Sequence, residues 1–302
     1  MNQPLFWILF ILFVVAMLGL DLGLHRRSQL ISLRKALIWS AAWFGLAAAF
    51  AALIYFWQGR IATLEFTTAY VIELSLSVDN LFIFLLIFRY FRVPAGDQHK
   101  ALFWGVIGAI LMRGIFIVIG VGLFRKFGWV IYFFGALLIY SGIRFATKGD
   151  SEVNPEKSWM LKLFRRFIPV TDEVEGDKFF VRRARLYATP LLLVLLLIET
   201  TDVLFATDSI PAVLAITLDV GIIFTSNVFA ILGLRSMYFA LAGMMGVFKY
   251  LHYGLSAVLI FVGTKMLIGH YYQMPTNIAL ITVSAILLAS VVASVSEKRK
   301  EL

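Results

Sequence analysis

Apolar runs long enough to cross a bilayer recur nine times along these 302 residues, and that feature excludes almost every other architecture. A crossing helix needs about 20 mostly apolar residues, because no water inside the hydrocarbon can satisfy a free backbone N–H or C=O. The runs fall at about 5–24, 36–57, 66–88, 102–122, 128–146, 188–218, 221–244, 253–269 and 276–294. The expected fold is an all-α polytopic membrane protein of about nine transmembrane helices, one integral membrane domain over 1–302. Composition agrees: 61% of residues are apolar and 15% charged, against roughly half and about a quarter in soluble domains. No positively charged side chain precedes the first run, so it reads as a retained anchor and not as a secretory signal.

The formal charge of +9 could suggest nucleic acid, but the basic residues sit in loops and at the tail, where membrane topology explains them. His25, Arg26, Arg27, Arg34 and Lys35 follow span one, and Arg89, Arg92 and Lys100 follow span three. Lys298, Arg299 and Lys300 lie in the tail. The positive-inside rule places these in the cytoplasm, with the N-terminus outside and the C-terminus inside; Arg125 and Lys126 dissent. The hydrophilic loop at about 147–187 then lies in the cytoplasm. Its amphipathic segment 161–167 reads as a helix on the inner leaflet, with docking of a protein partner as the less favoured role.

Two stretches echo each other. Glu73-Leu74-Ser75-Leu76-Ser77-Val78-Asp79-Asn80-Leu81 in span three matches Asp202-Val203-Leu204-Phe205-Ala206-Thr207-Asp208-Ser209-Ile210 in span six. Arg113 in span four corresponds to Arg235 in span seven, and Gly142-Ile143-Arg144 to Gly263-Thr264-Lys265. The offsets are 129, 122 and 121 residues, in the same order. Spans 3–5 (about 66–146) and 6–8 (about 188–269) therefore read as duplicated units, followed by a last helix at about 276–294. Three spans per unit make the second cross in the opposite sense, and inverted repeats with a midplane site are a recurring transporter plan.

Charged groups at membrane depth are costly and need protein, water or an ion beside them. Glu73, Asp79, Glu199, Asp202 and Asp208 are five such groups, and Asp21 is a shallower sixth. A six-residue separation leaves the two acids of each motif about 120 degrees apart on a regular helix, so a straight helix would not aim both at one ion. Pro211 lacks the N–H that would bond the Thr207 carbonyl, which predicts a broken or steeply tilted span six and, by the repeat, a break near Asp79 and Asn80. Carboxylates, amides, hydroxyls and freed carbonyls are the oxygen ligands of Mg, Ca and Mn. The candidate ligands are Glu73, Asp79, Asn80, Glu199, Asp202, Thr207, Asp208 and Ser209, with Arg113 and Arg235 balancing charge and Asp21 and Asn227 as weaker candidates. Five acids against two arginines leave about three excess charges, which makes exchange against protons a natural expectation.

Bland readings compete. Any single acid could pair with an arginine as structural glue, but two arginines cannot satisfy five acids. Asn227 reads first as an interhelical hydrogen-bond residue, and Ser75, Ser77, Thr200 and Thr201 as groups bonding their own helix backbone. The chain contains no cysteine, so thiolate chemistry and Cys-based metal sites are excluded. His25, His99, His252 and His270 fall in or beside loops, no nucleophile with its base is visible, and no glycine-rich phosphate loop occurs. An enzyme is not expected, nor an organic cofactor.

The strings at Glu73 to Asn80, Glu199 to Ala212 and Thr225 to Ala240 closely resemble the TerC family of membrane proteins, named for tellurium resistance, especially its Alx-type members. The likeness runs from Asp21 to Met266. It implies a bacterial inner-membrane protein linked to export of Mn(II), with metal-binding acids at Glu73, Asp79, Glu199, Asp202 and Asp208. It also implies an alternative, an accessory membrane protein of tellurite resistance or metal delivery that holds metal without net transport.

Overall fold

A computed structural model describes residues 4–24, 32–148, 164, 166, 168–171, 176, 178–182, 186–243, 250–269, 271–272 and 274–301. Among them are nine helices: α1 (Pro4–Leu24), α2 (Leu33–Gln58), α3 (Arg60–Tyr90), α4 (Ala95–Lys126), α5 (Val130–Lys148), α6 (Pro190–Leu214), α7 (Val220–Gly243), α8 (Leu251–Ile268) and α9 (Thr276–Glu301). Each coincides with one expected span. Seven are long and apolar enough to cross a membrane, while the apolar stretches of α1 and α8 are shorter. Two three-residue strands, β1 (Phe180–Arg182) and β2 (Leu186–Ala188), pair antiparallel ahead of α6, with Phe180 opposite Ala188. Of the expected amphipathic segment 161–167, only Phe164 and Arg166 are among the described residues.

Local chemistry sets the helix ends. Gly59 separates α2 from α3 without a loop, at φ 84°, a left-handed conformation that glycine enters at no steric cost. Thr189 and Pro190 open α6, proline at the first helical position giving up only an N–H that has no partner there. Asp219 caps α7 by accepting from Gly221 N at 2.7 Å and Ile222 N at 3.2 Å.

Two expectations about breaks are corrected. Both α3 and α6 are continuous, across Asp79 and Asn80 and through Pro211. Pro211 falls in the last turn of α6, where the helix ends at Leu214 anyway, so the lost bond distorts little. The apolar run is also shorter as a helix than it looks in sequence: Ala188 belongs to β2, and 215–219 form the turn into α7.

The centre of the bundle is α7, whose span is 83% buried, while α2 and α9 lie outside at 22% and 17%. α3 packs on α7 and α4 packs on α6, while α5 faces α8, α3 faces α6 and α4 faces α7. α1 leans on α2 and α7 through rings, among them Phe6 against Trp57 and Phe10 against Phe229. Without a hydrophobic drive between helices in lipid, close approach of small residues carries the packing. The α5–α8 seam is built this way. A Cβ on Gly142 would meet the Ser256 carbonyl oxygen at 2.7 Å, and one on Gly263 would meet the Gly135 carbonyl oxygen at 2.6 Å.

Candidate functional site

Where four helices meet, one guanidinium holds two carboxylates. Arg113 on α4 is the largest fully buried side chain among the described residues, and its NH1 forms an ion pair with Glu73 of α3. Its NH2 and Nε donate to the two oxygens of Asp202 on α6, at 3.0 and 3.4 Å. That is the forked geometry in which an arginine binds a carboxylate most strongly. Asn227 on α7 closes the ring: its Oδ1 accepts from Arg113 NH1 at 2.8 Å, and its Nδ2 donates to Glu73 at 3.2 Å. Asn80 Nδ2 adds a longer bond to Asp202, at 3.4 Å. Glu73, Asn80, Arg113, Asp202 and Asn227 are all at most 3% exposed.

The sequence accounts for this convergence by helical periodicity. Glu73 and Asn80 are seven residues apart, as are Asp202 and Ser209, and seven residues rotate a helix by nearly two whole turns. Each pair therefore lies on one face, and that face is buried in both helices. Asp208, the second acid of the α6 motif, is rotated off it. Asp208 is turned to α5, where Ser141 Oγ donates to it at 2.8 Å. The side chains of Asp79 and Asp21 are outside the described residues.

Glu199, three residues before Asp202, sets its carboxylate directly against Gly108 of α4, in the space a Cβ there would take. Thr207 is exposed and bonds its own helix at Leu204 O, 2.6 Å away. Ser75, Thr200 and Thr201 also back-bond their own helices. Ser77 differs: its Oγ, the Oδ1 of Asn80 and the Oγ of Ser209 are buried without a hydrogen-bond partner. Such orphaned oxygens are rare in native interiors and suit a hard cation. Among the described residues, no three His, Asp or Glu side chains form a ready metal cage.

Arg235, the counterpart of Arg113, lies elsewhere. Its NH2 is 3.0 Å from Nδ1 of His99, whose ring packs on Phe239 with centroids 4.3 Å apart. His99 lies beside a loop, as expected, in the opening turns of α4, and it is buried. A cavity of about 10 Å³, room for one water, touches both Asp202 and Arg235.

Sequence reasoning did not find Gly108, Ser141 or the His99–Arg235 contact, and it ranked Asn227 low. Gly108 and Ser141 have no counterpart signal in the other unit; their roles come from what α6 presents to them. A clue existed for Asn227: among Thr225, Ser226 and Asn227, two can bond their own helix and do, while the asparagine is long enough to reach across.

Helices of this length and apolarity around a buried ionic network define a multi-pass integral membrane protein. The TerC model, "Integral membrane protein TerC family", matches residues 58–302, and the chain belongs to that family. It is 49% identical over 300 residues to "Uncharacterized membrane protein STKORF319" of Myxococcus xanthus, covering 99% of this chain and 94% of that one. It is 44% identical over 302 residues to "Putative membrane-bound redox modulator Alx" of Salmonella typhi, covering 96% and 94%. The protein of that name in Escherichia coli K12 is 42% identical over 298 residues, covering 95% and 93%. No solved structure matches the chain.

Proposed function

We propose that this chain is a secondary transporter that exports a hard divalent metal ion, Mn(II) foremost, across the bacterial inner membrane, with protons as the exchanged ion. The observation that carries the reading is the joining of Glu73 and Asp202, the first acids of the two matching sequence stretches, on one buried network. A bilayer-spanning protein keeps such groups at depth only with a function or a partner to justify their cost. The unpartnered oxygens of Ser77, Asn80 and Ser209, on the same two helices, favour an oxygen-seeking cation.

The inverted repeat belongs to this proposal, and the packing supports it. Exchanging α3 for α6, α4 for α7 and α5 for α8 turns the α3–α7 contact into the α6–α4 contact, and both occur. The same exchange carries Gly142 against Ser256 into Gly263 against Gly135. The basic loops support an outer N-terminus and a cytoplasmic C-terminus.

A second reading is an accessory protein that holds metal for a partner, or a modulator of redox state as the Alx name says of those relatives. Thiol exchange by this chain is disfavoured, since its sequence has no cysteine. Cellular manganese separates the readings. Expression of the chain in a manganese-loaded host lowers cell manganese if it exports the ion; an unchanged content favours the accessory protein.

A further inference from the structure

Resting on the transport reading, we infer that Arg113 is a tethered cation: it occupies the carboxylates of the empty carrier and leaves them when the transported ion arrives. The carboxylates that an entering dication would need, Glu73 and Asp202, are the two that the guanidinium already holds. An arginine stays protonated in a protein, so the site is not cleared by losing its proton. It is cleared by movement, because the guanidinium and an arriving dication repel each other when both are at contact distance from the same carboxylates. Asn227 fixes the resting position by bonding both Arg113 and Glu73, and it can bond Glu73 without the arginine.

Two consequences follow from charge alone. The arginine competes with the ion, which weakens binding and lets the ion go on the far side. It also accompanies the return of the empty carrier, so that Glu73 and Asp202 change sides paired with a cation and not as bare anions, which leaves the exchanged protons to the acids that Arg113 does not hold. Net transport needs that return leg, whereas exchange of metal for metal does not, since the loaded carrier moves in both directions.

The test uses the purified full chain in liposomes with Mn(II) as the probe. Net efflux into metal-free buffer is compared with counterflow of tracer Mn(II) at equal concentrations on both sides. Arg113→Gln is expected to cut net efflux about ten-fold or more, keep counterflow, and lower half-saturating Mn(II) by about ten-fold, within the usual range of coupling between sites. Arg113→Lys keeps the charge without the fork, so it keeps net efflux while half-saturation falls a few-fold. Should Arg113→Gln not fold, Arg113→Lys decides the matter by its half-saturation, and a value equal to wild type overturns the inference. Unchanged net efflux in Arg113→Gln overturns it, and so does equal loss of net efflux and counterflow in folded protein. If wild type moves no Mn(II), the transport reading fails first and this inference with it.

Discussion

Alanine at Gly142 or Gly263 puts a methyl where the partner helix has backbone. At Gly142 the new Cβ lies 2.7 Å from the Ser256 carbonyl oxygen and 3.1 Å from Ile260 N; at Gly263 it lies 2.6 Å from the Gly135 carbonyl oxygen and 3.0 Å from Ile139 N. Ordinary contact begins near 3.4 Å, so α5 and α8 must separate by about 0.7 Å in the first case and about 0.8 Å in the second. A carbonyl cannot swing aside as a side-chain tip can, and overpacking of this kind costs about 1–3 kcal/mol. Under the proposed repeat the two sites are equivalent, so their costs should agree to within about 0.5 kcal/mol. The double variant should cost less than the sum, because one separation of the helices relieves both clashes. Unfolding in mixed micelles by rising SDS, followed by circular dichroism, measures all three. Gly45→Ala, with nothing within 4 Å of the added Cβ, is the control and should be neutral or slightly stabilising. A costly Gly142→Ala beside a neutral Gly263→Ala would refute the reciprocal seam, and strict additivity would refute the shared separation.

Three further outcomes are expected. Gly108→Ala should fold, since the group it displaces is the flexible end of Glu199, and Mn(II) transport should fall as far as in Glu199→Gln; a fully active Gly108→Ala would show that the carboxylate position does not matter. Asn227→Ala leaves one N–H of Arg113 without its acceptor and one oxygen of Glu73 without its donor in a buried site, and should destabilise by about 1–3 kcal/mol in the same SDS titration; a cost under about 0.5 kcal/mol would mean that water replaces the amide. Ser141→Ala removes only the donor to Asp208, and should cost about 0.6 kcal/mol, the mean for hydrogen bonds between membrane helices. A loss above about 2 kcal/mol would instead mark Asp208 as a structural anchor of α5.

The helices were legible because their signal is one-dimensional: a run of apolar residues near membrane length becomes a helix wherever it lies. The site was legible in part for the same reason. Glu73 and Asp202 could be paired by their 129-residue offset, and the 120-degree divergence within each motif is seen at Asp202 and Asp208, which face different neighbours. The expected breaks went wrong by giving Pro211 weight without its distance from the helix end, three residues on. What stayed hidden depends on contacts between distant segments. Nothing near His99 says that it will meet Arg235, 136 residues later, and nothing near Ser141 says that Asp208 will reach it. Gly108 reads as one more small residue of an apolar helix until α6 lays Glu199 across it.

The central claim is that the carboxylates on Arg113 receive the ion. The direct measurement is Mn(II) flux in proteoliposomes for wild type, Glu73→Gln and Asp202→Asn, with each variant checked for wild-type secondary structure. The account predicts movement in wild type and its loss in both variants, counterflow included, because each removes an oxygen anion the ion needs. Wild-type flux in either folded variant would contradict it.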